Sequence, residues 1–218
     1  MFRMAQAWLS LSTTGPNEGT LLVNPLLKQA TAYYLLRPFF SPKESSPTSE
    51  NFLDSDNWRL ETQSSSALQG ANPGHGQELS DLLHPHLKLE QSMVHMPRVN
   101  PGDYVAWHCD TIHAVDKKHA GTSDSSVLYI PACPLTEVNA EFLLRQREAF
   151  MEGIPCPDFG GGDGESKHVG RWGVDEVSEI SDEGALRAFG LSKWNSSEQG
   201  LSPGQHALMN KANKILGF

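Results

Sequence analysis

"PGDYVAWHCDTIHAVD", Pro101 to Asp116, decides how this chain is read. With Asn100 before it, Asn100-Pro101-Gly102-Asp103 has the residue types of a tight turn. Proline presets φ at the second position, and glycine accepts a positive φ at the third. Tyr104 to His108 then reads as a strand. Residues i and i+2 of a strand share a face, so His108 and Asp110 project together if the strand runs that far. A His-x-Asp pair is the usual opening of a 2-His-1-carboxylate triad, which leaves open positions on Fe(II) for O2 and a cosubstrate.

Two metal readings stay open on these residues. In the first, His108 and Asp110 are ligands, and a distant histidine, His168 or His119, completes the set. In the second, His113 is the distal ligand, while His108 and Asp110 support it from behind, as carboxylates that orient a ligating imidazole do. A third, plainer reading has His108 and His113 as hydrogen-bonded strand histidines without a metal.

Outward from this stretch, short strand candidates recur between Gly/Pro turns. Met93 to Val99 precedes it and Ser125 to Pro134 follows it; Ala5 to Ser12 and Thr20 to Pro25 lie near the amino terminus. Such spacing favours an all-β sandwich or barrel core. Helices flank it. Leu26 to Leu36 places Leu26, Ala30, Tyr33 and Tyr34 on one face, with Pro25 at its start and Pro38 past its end. Leu135 to Glu152 has Thr136 as N-cap and ends at Gly153 and Pro155. Shorter helices are predicted near Glu183 to Phe189 and Pro203 to Leu216.

Ser41 to Gly76 is rich in Ser, Pro, Gly and Asn, and reads as a long excursion anchored around Phe52 to Leu60. Phe159 to Gly170 is a glycine-rich loop, but no Gly-Lys-Ser/Thr follows it, so it is not a phosphate loop.

Composition narrows the function classes. The chain has 218 residues, with 17 basic against 26 acidic and a formal charge of -9. Without a basic surplus to displace counterions, phosphate-backbone binding is disfavoured and no nucleic-acid partner is expected. No apolar run approaches the roughly 18 residues of a membrane span, and no signal peptide is evident. The three cysteines are widely spaced and form no CxxC pair. A cytoplasmic protein is expected by elimination.

The stretches "AQAWLSLSTTGPNEGTLLVNPLLKQATAYYLLRPFF", "LHPHLKL", "MPRVNPGDYVAWHCDTIHAVD" and "SSVLYIPACPLTEVNAEFLLRQREAF" together resemble a microbial family of unknown function. That family is classed with the Fe(II)/2-oxoglutarate-dependent oxygenases. The resemblance implies a mainly β fold with flanking helices (α+β), built on a double-stranded β-helix, the cupin-like jelly roll. It implies Fe(II) as cofactor and 2-oxoglutarate as cosubstrate. His113 matches the distal iron histidine, with His108 and Asp110 in the Trp-His-x-Asp before it, which favours the second metal reading.

The same resemblance places the proximal His-x-Asp upstream of "FRMAQAWLSL". Two of three iron ligands and the early strands are therefore expected outside this chain. The jelly roll is then incomplete, over 1-134 with the insertion at about 41-76, followed by a helical extension over 135-218. Exposed strand edges would favour a homodimer.

The 2-oxoglutarate carboxylate is often clamped by Arg or Lys on the strand after the distal histidine. "SSVLYIP" has neither, so Ser126 and Tyr129 on it, or Arg98 on the strand before, are the candidates. A non-catalytic jelly roll binding a ligand or partner, and a cupin-type metal hydrolase or isomerase, are the rival readings, because fold alone does not separate them. His84 and His86 are read as part of a turn, His95 as solvent-facing, and Cys109 as a small buried thiol.

Overall fold

The computed structural model describes residues 1–63 and 65–218; Ser64, in the Ser41 to Gly76 excursion, lies outside them. The fold is mixed α+β, and its chain divides into two compact units, residues 6–130 and residues 1–5 with 131–218.

The first unit is built on two three-stranded sheets. One has the order β6-β1-β8, from β1 (Ala5–Ser10), β6 (Tyr104–His108) and β8 (Val127–Tyr129). The other has the order β5-β2-β7, from β2 (Leu21–Val23), β5 (Val94–His95) and β7 (His113–Val115). β1 pairs antiparallel with β8, and β2 pairs antiparallel with both its neighbours. Trp8, Leu21, Met96 and Val99 form one buried cluster, with Val23, Val105, Trp107 and Val127 packed against it. Those residues come from both sheets, so the sheets share one core. The period-2 alternation of β6 explains why Val105 and Trp107 reach it, while Tyr104, Ala106 and His108 are exposed.

The Asn100–Asp103 turn forms as the sequence predicts. Asp103 N–H donates to the Asn100 carbonyl (3.0 Å), Asn100 N–H donates to the Asp103 carboxylate (2.8 Å), and Gly102 has a φ of 94°. A Cβ would strain that position. The strand read over Met93 to Val99 is shorter than expected: only Val94 and His95 lie in a ladder, and Val99 makes an isolated bridge to Thr14.

Helix α1 (Leu27–Leu36) leads into the excursion, which holds more order than its composition suggested. Phe40–Pro42 (β3) pairs antiparallel with Trp58–Leu60 (β4). Phe52 is buried and stands edge-on to Trp58 at 5.2 Å, and the Arg37 guanidinium lies 4.8 Å above the Trp58 ring. The anchor expected at Phe52 to Leu60 is there, joined to the end of α1 by a cation–π contact. A short helix, α2 (Leu89–Ser92), precedes β5.

In the second unit, α3 (Glu137–Glu152) starts where Thr136 Oγ1 accepts the Asn139 N–H at 3.1 Å, the N-cap read from sequence. It stops at Gly153, whose φ of 72° suits glycine. Helices α4 (Val174–Ile180), which the sequence reading did not anticipate, α5 (Glu183–Ala188) and α6 (Pro203–Leu216) follow. α3 packs on α6, and Ala140 and Ala212 are both fully buried, so the helices meet at small residues. Among the described residues, no helix is long and apolar enough to cross a membrane.

Candidate functional site

The bend demanded between Asp110 and His113 exists. β6 ends at His108, and Thr111 N–H donates to the His108 carbonyl at 2.9 Å, closing a turn. The chain then enters β7, which belongs to the other sheet. His108 and His113 therefore stand on different sheets. His108 is on the exposed face of β6, opposite to Val105 and Trp107.

In β7, His113 pairs with Val23 and Val115 with Leu21, so both leave the strand on the side of the core cluster, yet neither is buried in it: His113 is exposed and Val115 is 61% exposed. The His113 ring meets Trp107 with 5.4 Å between centroids. Its Nδ1 lies 2.8 Å from the Thr111 carbonyl, which can only accept, so Nδ1 carries the proton. That leaves the Nε2 lone pair outward, the arrangement in which an imidazole ligates a metal. Beside it the Trp107 indole N–H is buried without an acceptor.

His108 and Asp110 do come together, with 3.6 Å between Nδ1 and Oδ2, through the turn rather than through an extended strand. The turn also corrects the reading of Cys109. Its thiol is half-buried beside both, 3.6 Å from Asp110 Oδ1 and 4.0 Å from His108 Nδ1, instead of on the opposite face. Among the described residues, His108, Cys109 and Asp110 are the group whose ligand atoms lie close enough for one ion, and His113 is not part of it.

These atoms are already engaged with one another. His108 Nδ1 accepts the Asp110 N–H at 3.2 Å, and the Cys109 thiol faces Asp110. Desolvation and the Asp110 carboxylate push that thiol above the ordinary cysteine range, so it is not a ready thiolate.

The alternative third ligands are elsewhere. His119 forms a bridge with Glu18 and accepts the Gly121 N–H through Nδ1 at 3.1 Å. His168 belongs to the second unit. Of the carboxylate-binding candidates, Arg98 pairs with Glu18 at 3.4 Å, and the Ser126 hydroxyl donates to Asp124. Tyr129 pairs with Trp8 across the ladder and so shares its face, yet it is 74% exposed because β8 is an edge strand.

A cleft of about 1040 Å³ opens against the β5-β2-β7 sheet, between the 79–82 segment, α2 and β7. His113 is among its lining residues. So are His95 and Asp116, which the sequence reading missed as a pair. His95 is not simply solvent-facing. Its Nε2 lies 2.7 Å from Asp116 Oδ1, and the Asp116 side chain is only 6% exposed. The pairing joins residues on strands either side of β2, and no local spacing announces it. A buried cluster elsewhere in this unit corrects the reading of His84 as part of an ordinary turn: its ring is fully buried against Tyr33 and Tyr34.

The Gig2-like family profile matches residues 1–191. YbiU of Escherichia coli K12, described as uncharacterized, is 31% identical over 178 residues, 82% of this chain and 37% of that protein. The crystal structure of GlcNAc Inducible Gene 2 (GIG2, DUF1479) from Candida albicans superposes with a TM-score of 0.80 at 34% identity. It covers 100% of this chain and 47% of its own. A Salmonella typhimurium LT2 protein, provisionally named an oxidoreductase, matches with a TM-score of 0.62 at 29% identity, over 87% of this chain and 39% of that one. The chain thus spans less than half the length of the relatives it matches. On both the profile and the identity, it belongs to the Gig2-like family.

Proposed function

We propose that the chain is part of an Fe(II)- and 2-oxoglutarate-dependent oxygenase acting on a small molecule, with its two facing sheets as one portion of a jelly roll. Two sheets sharing one core are the layer arrangement of that fold. A similar protein provisionally named an oxidoreductase agrees with a redox function.

His113 carries the reading. Its ring is exposed at the cleft beside Trp107, its tautomer is fixed by a backbone carbonyl, and its Nε2 makes no hydrogen bond among the described residues. Those properties fit one imidazole ligand of iron. The rest of a triad is not assembled around it among the described residues, so the fit is to one ligand of three. In this reading the other two are supplied by polypeptide outside these 218 residues. Bound iron and 2-oxoglutarate would supply O2 activation and attack on a C–H bond. This chain's residues would hold one ligand position and wall the substrate space beside it. Tyr129 is the favoured contact for the cosubstrate carboxylate, because Arg98 and Ser126 already serve carboxylates of the protein.

The incomplete donor set favours a second reading, a non-catalytic jelly roll that binds a ligand or partner without iron. Anaerobic Fe(II) titration in the presence of 2-oxoglutarate separates the two. The oxygenase reading expects saturable binding that His113→Ala abolishes and His108→Ala leaves intact. Binding untouched by His113→Ala overturns it, and no binding at millimolar metal gives the second reading.

A further inference from the structure

The outward face of the β5-β2-β7 sheet has no part in the core, yet it is not a bare surface. Strand register puts Leu22, His95 and Ala114 side by side on it. Asp116 follows on the same face, two residues after Ala114, with its N–H donating to the Thr20 carbonyl at 3.0 Å. All four line the cleft of about 1040 Å³, whose walls bring Leu82, Leu89 and Met93. A concave, mainly apolar space with a few convergent polar groups is the usual form of a small-molecule site.

The polar groups can be sorted by what already occupies them. Asp116 is fully engaged: Oδ1 meets His95, and Oδ2 accepts the Thr20 N–H at 3.0 Å. Asp81 spends both oxygens on the first turn of α2, accepting the Leu89 and Glu90 N–H groups at 2.5 and 3.1 Å. Lys117 and Lys118 also line the cleft, are exposed, and enter no ion pair among the described residues. His95 donates through Nε2, and its Nδ1 has no partner among the described residues. Against these stands a single unengaged carboxylate, that of Glu90. The charges left over for a ligand are therefore mainly positive, above an apolar floor.

The geometry points to a binding site for an amphipathic carboxylate. The carboxylate lies at the Lys117, Lys118 and His95 end, and the apolar chain lies along Leu22, Leu82, Leu89 and Met93. Asp116 is a positioning residue: it accepts from Nε2 and turns the imidazole so that Nδ1 faces the ligand, where Nδ1 donates to a carboxylate when the ring carries its second proton, and the burial of Asp116 keeps that orientation rigid. His113 borders the same cleft but is not among the proposed contacts: strand register puts His95 beside Leu22 and Ala114, and His113 beside Val23.

Isothermal titration of the metal-free chain, in excess EDTA, with decanoate and with decan-1-ol tests it. One saturable decanoate site per chain is expected, with decan-1-ol weaker by about tenfold, the value of one charge-assisted contact. The double substitution Lys117→Ala/Lys118→Ala, at two exposed positions that folding does not need, is expected to weaken decanoate by about tenfold and leave decan-1-ol unchanged. His95→Gln should do the same. Absence of saturable decanoate binding overturns the proposal. So does equal affinity for the alcohol, or decanoate affinity unmoved by the lysine substitutions. Because no metal is present, neither result bears on the role of His113.

Discussion

Replacing His84 with phenylalanine keeps an aromatic ring in a fully buried site and removes both of the hydrogen bonds it makes there. Its Nε2 lies 2.9 Å from the Gln69 carbonyl, which can only accept, so Nε2 is the donor and Nδ1 accepts from the Tyr33 hydroxyl at 3.0 Å. The ring thus ties helix α1 to the excursion. Each bond is worth about 1 kcal/mol net, and each partner left unmet in a buried place costs about 1–3 kcal/mol. Gln69 is exposed, so water recovers part of that cost. His84→Phe is therefore expected to cost about 2 kcal/mol. His84→Ala adds a cavity between the Tyr33 and Tyr34 rings and should cost about 3–4 kcal/mol. Tyr33→Phe strips one hydroxyl and should cost about 1 kcal/mol.

Urea unfolding followed by tryptophan fluorescence measures all three, and limited proteolysis shows whether residues 41–76 open first. The double variant Tyr33→Phe/His84→Phe should be less destabilised than the two single losses added together, because each orphan disappears with its partner. A His84→Phe protein as stable as the parent, with unchanged proteolysis, would refute the account of the cluster.

The same site makes stability depend on pH. Burial, as the largest cause, holds the His84 imidazole below its ordinary range, and the Arg37 charge adds to this. The unfolded chain then takes up the proton first, so stability is full above the ordinary histidine value of about 6.5 and falls as pH drops toward the depressed folded value. His86 is depressed by the same causes, so His84→Phe should flatten part of the slope and not all of it.

The Tyr34 hydroxyl is buried without a partner and its pKa is pushed up to about 12, so Tyr34→Phe should leave stability unchanged or raise it by up to about 1 kcal/mol in the same urea assay. Thr136→Ala removes the cap of α3 and should cost about 1 kcal/mol, seen as a lower urea midpoint. Trp8→Ala opens the core between the two sheets and should cost about 3–5 kcal/mol, enough to lose the cooperative transition by circular dichroism.

What could be read from sequence was what depends on near neighbours. Asn100-Pro101-Gly102-Asp103 makes its turn because the needed φ values are built into two residues. Thr136, Gly153 and Pro203 mark helix ends for the same local reason. What could not be read depends on partners far along the chain. β3 and β4 hide in a Ser/Pro-rich stretch because their pairing is stabilised by Phe52, Trp58 and Arg37 rather than by their own propensity. His84 is a turn residue by its flanking proline, and only the folded chain brings Tyr33 and Gln69 to it.

The candidate site shows the same division within a few residues. His108 and Asp110 are neighbours as the i, i+2 spacing suggested, but the strand has ended by then and a turn brings them together. His108 and His113 are five apart. In one continuous strand that odd spacing puts them on opposite faces. The turn at 109–112 carries the chain from one sheet to the other instead, leaving His108 on the exposed face of β6 and His113 on β7, opposite Val23 and exposed at the cleft. On β7 the alternation then separates two functions. Odd positions, His113 and Val115, leave the strand on the side of Leu21 and Val23 yet stay exposed, and even positions, Ala114 and Asp116, leave it on the side of Leu22 and His95. A one-residue slip of β7 would exchange them, turning His113 to the side of Leu22 and His95 and Asp116 to the side of Leu21 and Val23. Asp116, bonded to both Thr20 and His95, holds the register against that slip. Asp116→Ala should therefore disturb the surroundings of His113 as well as the cleft, visible as shifts of both imidazole resonances by NMR. If only the His95 resonance moved, register would be held by the Leu21 and Val23 pairing alone.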